Sequence, residues 1–285
     1  MLEIFSSFAE FKEWNIKDDP SPRMNFQQEI LDNWLRNDSS EFIIDGWCDA
    51  CSSPSQFVLD SLYSDTQPDQ NFRPNWRERL VCVGCGLNCR LRASFSLLKP
   101  VLDQNSRIWI NEQTTPFYRF LSERFTQLVG SEYGGPDYES GDQISGQIRH
   151  EDCTNSSHDS ESLSAVLSFD VMEHLPDFNS AIQEAFRVLT TGGVFFWSAP
   201  FDINQYETSV RAVRLTDGSI ENIQEPIFHG DPMNSSEGIL CFQTFGWDVI
   251  DRMLDAGFRK AEVYLIWSEH QVILGNPQPF FCATK

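Results

Sequence analysis

Basic residues are scarce in this chain: 21 lysines and arginines stand against 42 aspartates and glutamates over 285 residues, a formal net charge of -21 with only 5 histidines. A field of that sign repels phosphate backbones, so nucleic acid is excluded as the first partner to consider. No basic tract with interleaved aromatics relieves the repulsion. Long apolar runs are missing as well. None approaches the roughly 18 residues that a membrane-spanning helix needs. The opening residues, MLEIFSSFAEFKEW, carry acids where a signal peptide carries basic residues. The expectation is a soluble, cytoplasmic protein with no membrane partner. No internal repeat recurs.

What is present is enough apolar material for a core, 40% hydrophobic and 13% aromatic, which excludes global disorder. Three textures follow one another. Residues 1–40 read as helical, with Phe26, Ile30, Leu31 and Trp34 at helical spacing in PSPRMNFQQEILDNWLRN. Such a stripe covers the helix's own domain or, alternatively, packs on a second copy in a homodimer. Residues 41–98 hold short β-like pieces, turn residues and five of the eight cysteines, with no long periodic helix to build a core. Such a segment needs a staple. From residue 99 to 285, strand and helix patterns alternate: RIWINE, TQLVGSEY, GQIRHED, AVLSFDV and GGVFFWSAP as strands, with clear helices at DFNSAIQEAFRVLTTGG and FGWDVIDRMLDAGF. That alternation predicts an α/β domain, a doubly wound and mostly parallel sheet. Gly192 and Gly193 are expected to terminate the first of those helices.

Cys48 and Cys51 form one C-x-x-C pair, Cys82 and Cys85 another. Two such turns can bring four thiolates to the corners of a tetrahedron, the closed geometry of a structural zinc site. A redox C-x-x-C is the rival, but it does not come in two pairs. With all four positions filled by protein, the ion holds a fold together and does not catalyse. Cys89 is a spare thiol, and the surrounding arginines of WRERLVCVGCGLNCRLRAS brace the module or line a pocket for an anion. Cys153, Cys241 and Cys282 read as isolated residues in or beside strands.

Ligands of a doubly wound sheet bind beyond the carboxyl ends of its strands. Three acids fall at such ends: Glu112, Glu132 and Asp152. A carboxylate about 20 residues after the first strand is placed to accept both ribose hydroxyls, and Asp152 to accept from an exocyclic adenine amine. The turn NEQTTPFYR has no glycine-rich phosphate loop, which argues against a dinucleotide or a triphosphate. A nucleoside without phosphates, such as S-adenosyl-L-methionine, suits these acids better.

The stretch SFDVMEHLPDFNSAIQEAFRVLTTGGVFFWSAPF resembles the region from the fourth to the fifth strand of class I S-adenosylmethionine-dependent methyltransferases, with Glu173, His174, Glu184, Arg187, Gly192 and Gly193 in the family's order. The resemblance spans roughly residues 105–285 and implies a Rossmann-like fold. It implies that Glu132 holds ribose, that Asp152 holds the adenine amine with Cys153 beside the ring, that Glu112 lies near the methionine amino group, and that Phe169 and Asp170 wall the cofactor. The cysteine module ahead of the domain resembles the arrangement in some small-molecule methyltransferases.

A hydroxyl acceptor benefits from a base, and His174 or His229 is the candidate. Each has a plainer reading, His174 as a loop-fixing residue and His229 as part of an HGDP turn. His229 sits in an insertion from about 202 to 242, long enough to serve as a substrate lid. Arg211 and Arg214 could meet an acceptor carboxylate, or simply face solvent. Tyr206, Trp197 and Trp267 could line an aromatic pocket, although each is as suited to a core. The function expected is O-methylation of a small-molecule hydroxyl or carboxylate. A catalytically silent methyltransferase-like scaffold, or methylation of nitrogen or carbon, is the alternative.

Overall fold

The computed structural model describes every residue except 38–39, 67–71 and 231–237. Two compact units appear. One comprises Met1–Ile4, Ala9–Leu102 and Tyr264–Gln278, the other Phe5–Phe8, Asp103–Val263 and Pro279–Lys285. The division differs from the chain-order expectation of 1–40, 41–98 and 99–285. The amino-terminal helices and the cysteine segment share one unit, and residues 264–278 join them because the last two strands, Lys260–Ser268 and Ile273–Thr284, run through both units.

In the first unit the helix Ser21–Asn37 buries Ile30 and Trp34. Phe26 meets Trp267 edge-on at 6.2 Å and Trp34 stacks on Phe42 at 6.4 Å. The apolar stripe therefore covers its own unit. The cysteine segment is an antiparallel hairpin, Glu41–Cys48 against Ser53–Asp60, with Val81–Cys82 paired to Phe57 and Val58. It does hold a helix, contrary to expectation: Cys89–Leu98, capped by the Asn88 side chain accepting from the Leu91 amide. Its pattern was masked by Arg92, which is 2% exposed. The Arg92 guanidinium donates to the carbonyls of Gln271, Val272 and Leu80 and lies 4.2 Å from the Phe57 ring centre. Arg90 and Arg77 pair with Glu78, and Arg79 with Asp60. The arginines brace the unit.

In the second unit, Leu163–Phe169 lies between two parallel neighbours, Ile108–Ile110 and Leu189–Ser198, and Ile108–Ile110 pairs in parallel with Leu128–Gly130. Phe281 to Thr284 run antiparallel to Leu189–Ser198. Within this unit the order is Phe281–Thr284, Leu189–Ser198, Leu163–Phe169, Ile108–Ile110, Leu128–Gly130. The mostly parallel α/β sheet is the Rossmann-like class expected. Helix Phe178–Val188 starts at the Asp177 cap and turns Ile182, Ala185 and Val188 inward.

Two local expectations are corrected. GQIRHED is not a full sheet strand: Ile148–Arg149 pairs only with Gln143–Ile144, and a single parallel bridge joins His150 to Glu132. Its polar side chains are spent on neighbouring loops, Arg149 on Glu151 and Ser157. Gly192 and Gly193 do not end the helix, which stops at Val188 and passes directly into the strand Leu189–Ser198. Gly192 has φ +82° and a Cβ on Gly193 would lie 2.9 Å from the Thr190 carbonyl. The pair forms a kink where the register against Leu163 slips before Ala165 meets Val194.

The described residues of the insertion form three short ribbons: Ser209–Val210 with Gln243–Thr244, Ala212–Arg214 with Ile220–Asn222, and Phe228–His229 with Ile239–Leu240. Asp231 and Pro232 of the expected HGDP turn lie outside the described residues.

Candidate functional site

Among the described residues, two side-chain clusters and a cavity are candidates for chemistry. In the first unit, Cys48 ends one strand, Cys51 sits in the hairpin turn, Cys82 ends the third strand and Cys85 lies in the turn after it. Their four sulfurs lie within 4.8 Å of one another, with Cys48 to Cys85 at 3.8 Å and Cys51 to Cys82 at 3.7 Å. A tetrahedral ion with metal–sulfur bonds of about 2.3 Å sets sulfurs roughly 3.8 Å apart, so the geometry fits a small metal-binding module. The turns must come close to achieve this: a Cβ on Gly84 would lie 3.0 Å from the Cys51 sulfur, and Gly86 has φ +71°. Cys89 stands apart, fully buried, its thiol turned to the Leu274 carbonyl.

In the second unit, Glu132 follows the strand Leu128–Gly130. Its Oε1 accepts from the backbone amides of Gln113 and Thr114 and from the Thr114 hydroxyl. The turn without glycines is thus held by the acid of the neighbouring strand, while Oε2 takes none of these bonds. Glu112 is in the same turn. Asp152 accepts from the amide and hydroxyl of Thr154 through Oδ1. Cys153 beside it is half-buried, and burial pushes its thiol up to about 12. Asp152, Tyr133, Tyr138 and His150 line an open cavity of about 630 Å³. That is within the 300–1,000 Å³ range usual for small-ligand pockets. His150 is buried, accepts the Gly134 amide on Nδ1 and lies between the Tyr133 and Tyr138 rings. Burial and then Asp152 raise the Tyr133 phenol, against the nearby charge of Arg214. Phe169 is buried against Phe117 and Phe196 at the end of its strand. Asp170 follows at φ +54° and accepts the Ser198 hydroxyl.

Next along the chain, the short helical turn Met172–His174 and the ribbon of the insertion bring Glu173, His174, His229 and Cys241 together. His229 Nδ1 is 3.2 Å and His174 Nε2 is 3.7 Å from Glu173 Oε1. The rings of the two histidines are 5.4 Å apart and perpendicular. The Cys241 thiol and then the Glu173 carboxylate raise His229 to about 10. Burial opposes a charged His174, but hydrogen bonding to Cys241 and the charge of Glu173 outweigh it and raise its pKa. Burial likewise opposes a Cys241 thiolate, and the two imidazoles overcome it and lower its pKa.

The remaining expected residues are elsewhere. Arg211 is tied to the Gln224 side chain and the Glu225 carbonyl across its ribbon. Tyr206 gives its hydroxyl to Asp251 and its ring to Phe8, so it braces the helix Asp248–Asp255 and stands outside the cavity lined by Tyr133 and Asp152. Trp197 is fully buried and stacked on Phe281 at 4.2 Å. Trp267 belongs to the other unit and is buried against Phe26. Both tryptophans are core. The Glu184–Arg187 pair is a brace as well. Glu184 accepts from the amide and hydroxyl of Ser156, and Arg187 binds Glu184 and the carbonyls of Ser156 and His158.

Residues 118–197 match a family model described as a methyltransferase domain. The chain is similar to an S-adenosylmethionine-dependent methyltransferase from Mesorhizobium loti, at 14% identity and TM-score 0.42 over 68% of this chain and 98% of that one. It is similar to another from Methanosarcina mazei, at 11% identity and TM-score 0.41 over 66% and 96%. A possible histamine N-methyltransferase from Thermotoga maritima aligns at 13% identity and TM-score 0.37 over 68% and 89%. No curated protein matches. The family model supports a methyltransferase domain over 118–197, a range that contains Leu163–Phe169 and all but the last residue of its parallel neighbour Leu189–Ser198.

Proposed function

We propose that the second unit transfers a methyl group from S-adenosylmethionine to an oxygen of a small molecule, a hydroxyl or a carboxylate. The observation that carries this is the methyltransferase-domain match over 118–197 on a sheet with Glu132 and Asp170 just beyond its strands and Asp152 in the loop that lines the neighbouring cavity. The residues fit the cofactor's chemistry. Glu132 Oε2 would accept from ribose, Tyr133 and Cys153 would flank the adenine, Asp152 would accept its amine, and Glu112 would lie toward the amino group, with Phe169 and Asp170 as a wall. The cofactor supplies an electrophilic methyl group on a sulfonium, so the chain's task is to align and desolvate the acceptor. We assign the handling of an acceptor proton to His174 and His229. Either imidazole, when neutral, would accept that proton. Arg214, whose charge acts on the Tyr133 phenol, is the residue that we assign to an acceptor carboxylate. The four-cysteine cluster is proposed to hold a structural zinc ion.

Transfer of a labelled methyl group to hydroxylated and carboxylated aromatics, run beside amines, tests the oxygen preference. Label on amines alone would refute it. A second reading, a catalytically silent scaffold, is favoured by one observation: the turn after the first strand is bonded to Glu132 Oε1. Absence of cofactor binding would decide for it.

A further inference from the structure

We infer that Glu173, His174, His229 and Cys241 form a second metal site, for a divalent transition ion of the zinc class, at the carboxyl end of the strand Leu163–Phe169. Nitrogen and sulfur atoms of the two histidines and the cysteine lie within 4.8 Å of one another, the spacing that a single ion would bridge. Zinc is commonly held by such imidazole and thiolate sets. Calcium and magnesium are excluded by the same ligands, since they take oxygen shells.

Two further observations point to a cation. The Nδ1 of His174 lies 2.9 Å from the Leu240 carbonyl. As a donor there, it leaves Nε2 with its lone pair turned to the cluster, the arrangement that orients metal-bound histidines. Glu173 is fully buried, and its Oε2 has no hydrogen-bond partner. A buried carboxylate with an unmet oxygen is costly unless a positive charge faces it. Two neutral imidazoles, one thiolate and one carboxylate balance a divalent ion.

The site differs from the four-cysteine cluster in its opening. His174 and Glu173 side chains are 10% and 0% exposed, whereas His229 is 37% exposed. The wall formed by His229 is where a small ligand would reach the ion. Open metal sites keep such a position for water or substrate. Binding of the ion stands on the geometry alone. Its use to orient an acceptor oxygen rests on the methyl-transfer reading.

The test uses the full chain, freed of any affinity tag and prepared without chelator. It combines elemental analysis with replacement of the metal by Co²⁺. The expected content is about one ion for each cluster. His229→Asn and Cys241→Ser should each remove one equivalent and leave the other, and Cys51→Ser should remove the complementary one. The Co²⁺ difference spectrum between wild type and His229→Asn should contain a thiolate charge-transfer band that Cys241→Ser also lacks. His229 is half-exposed, so His229→Asn keeps the test alive if Cys241→Ser misfolds. Metal content and Co²⁺ spectrum unchanged by His229→Asn would overturn the proposal. S-adenosylmethionine titration of the same samples reads the methyl-transfer proposal separately, because none of these residues is assigned to the cofactor.

Discussion

Glu184 shows how a residue recognisable from sequence takes its meaning from its partners. Burial would raise its carboxyl, but hydrogen bonds from Arg187 and Ser156 outweigh burial and hold it below its ordinary value. A lowered folded pKa means that the stabilisation is fully present above about pH 4.5 and is lost as pH falls through the folded value. Arg187 is partly exposed, which screens the pair. Glu184→Gln should therefore cost about 1–2 kcal/mol at neutral pH, read by urea unfolding. The difference from wild type should shrink below the ordinary carboxyl range; a difference that is constant with pH would contradict the ionic origin. Glu132 is the residue where spacing alone was informative, since it does follow the neighbouring strand. Glu132→Gln should weaken S-adenosylmethionine binding at least tenfold, about 1.4 kcal/mol, and unchanged affinity would remove it as the ribose anchor. Glu173 and Cys241 were not legible as partners. They are far apart in sequence, and Leu240, Phe242 and Gln243 bring the second beside the first through hydrogen bonds to His174, Glu173 and Met172.

At the scale of elements, the cysteine hairpin was readable because two C-x-x-C turns impose their own geometry. The helix Cys89–Leu98 was not, because its buried face contains an arginine. Arg92 can be buried only where carbonyls converge on it, and those of Gln271 and Val272 come from 179 and 180 residues away. Arg92→Ala should cost about 2–4 kcal/mol by leaving those carbonyls unmet and Phe57 uncovered. Chemical denaturation checks this, and a loss under 1 kcal/mol would show the arginine to be dispensable. Removing metal from the four-cysteine cluster by chelation should destabilise by at least about 3 kcal/mol, roughly 6–12 °C in Tm. No shift in Tm on chelation would refute a structural ion there. GQIRHED misled because alternation in sequence does not guarantee a neighbour in the sheet. Its polar residues found loop partners, and what pairs is a two-residue ribbon with Gln143–Ile144 and one bridge from His150 to Glu132.

For the whole molecule, composition and the order of strands and helices anticipated the α/β class, since a parallel sheet demands crossover helices and buried strands. The grouping of residues into two units was hidden, because the last two strands run from one unit into the other. Among the described residues no helix is long and apolar enough to cross a membrane. The charge of -21 leads us to expect no nucleic-acid retention in a mobility-shift assay at physiological salt; a salt-sensitive complex would contradict it. Calorimetric titration of S-adenosylmethionine into the wild-type chain addresses the methyltransferase reading most directly. Saturable binding with micromolar affinity is the expected result. Absence of binding heat, with the protein folded, would contradict the enzyme reading and leave the scaffold in its place.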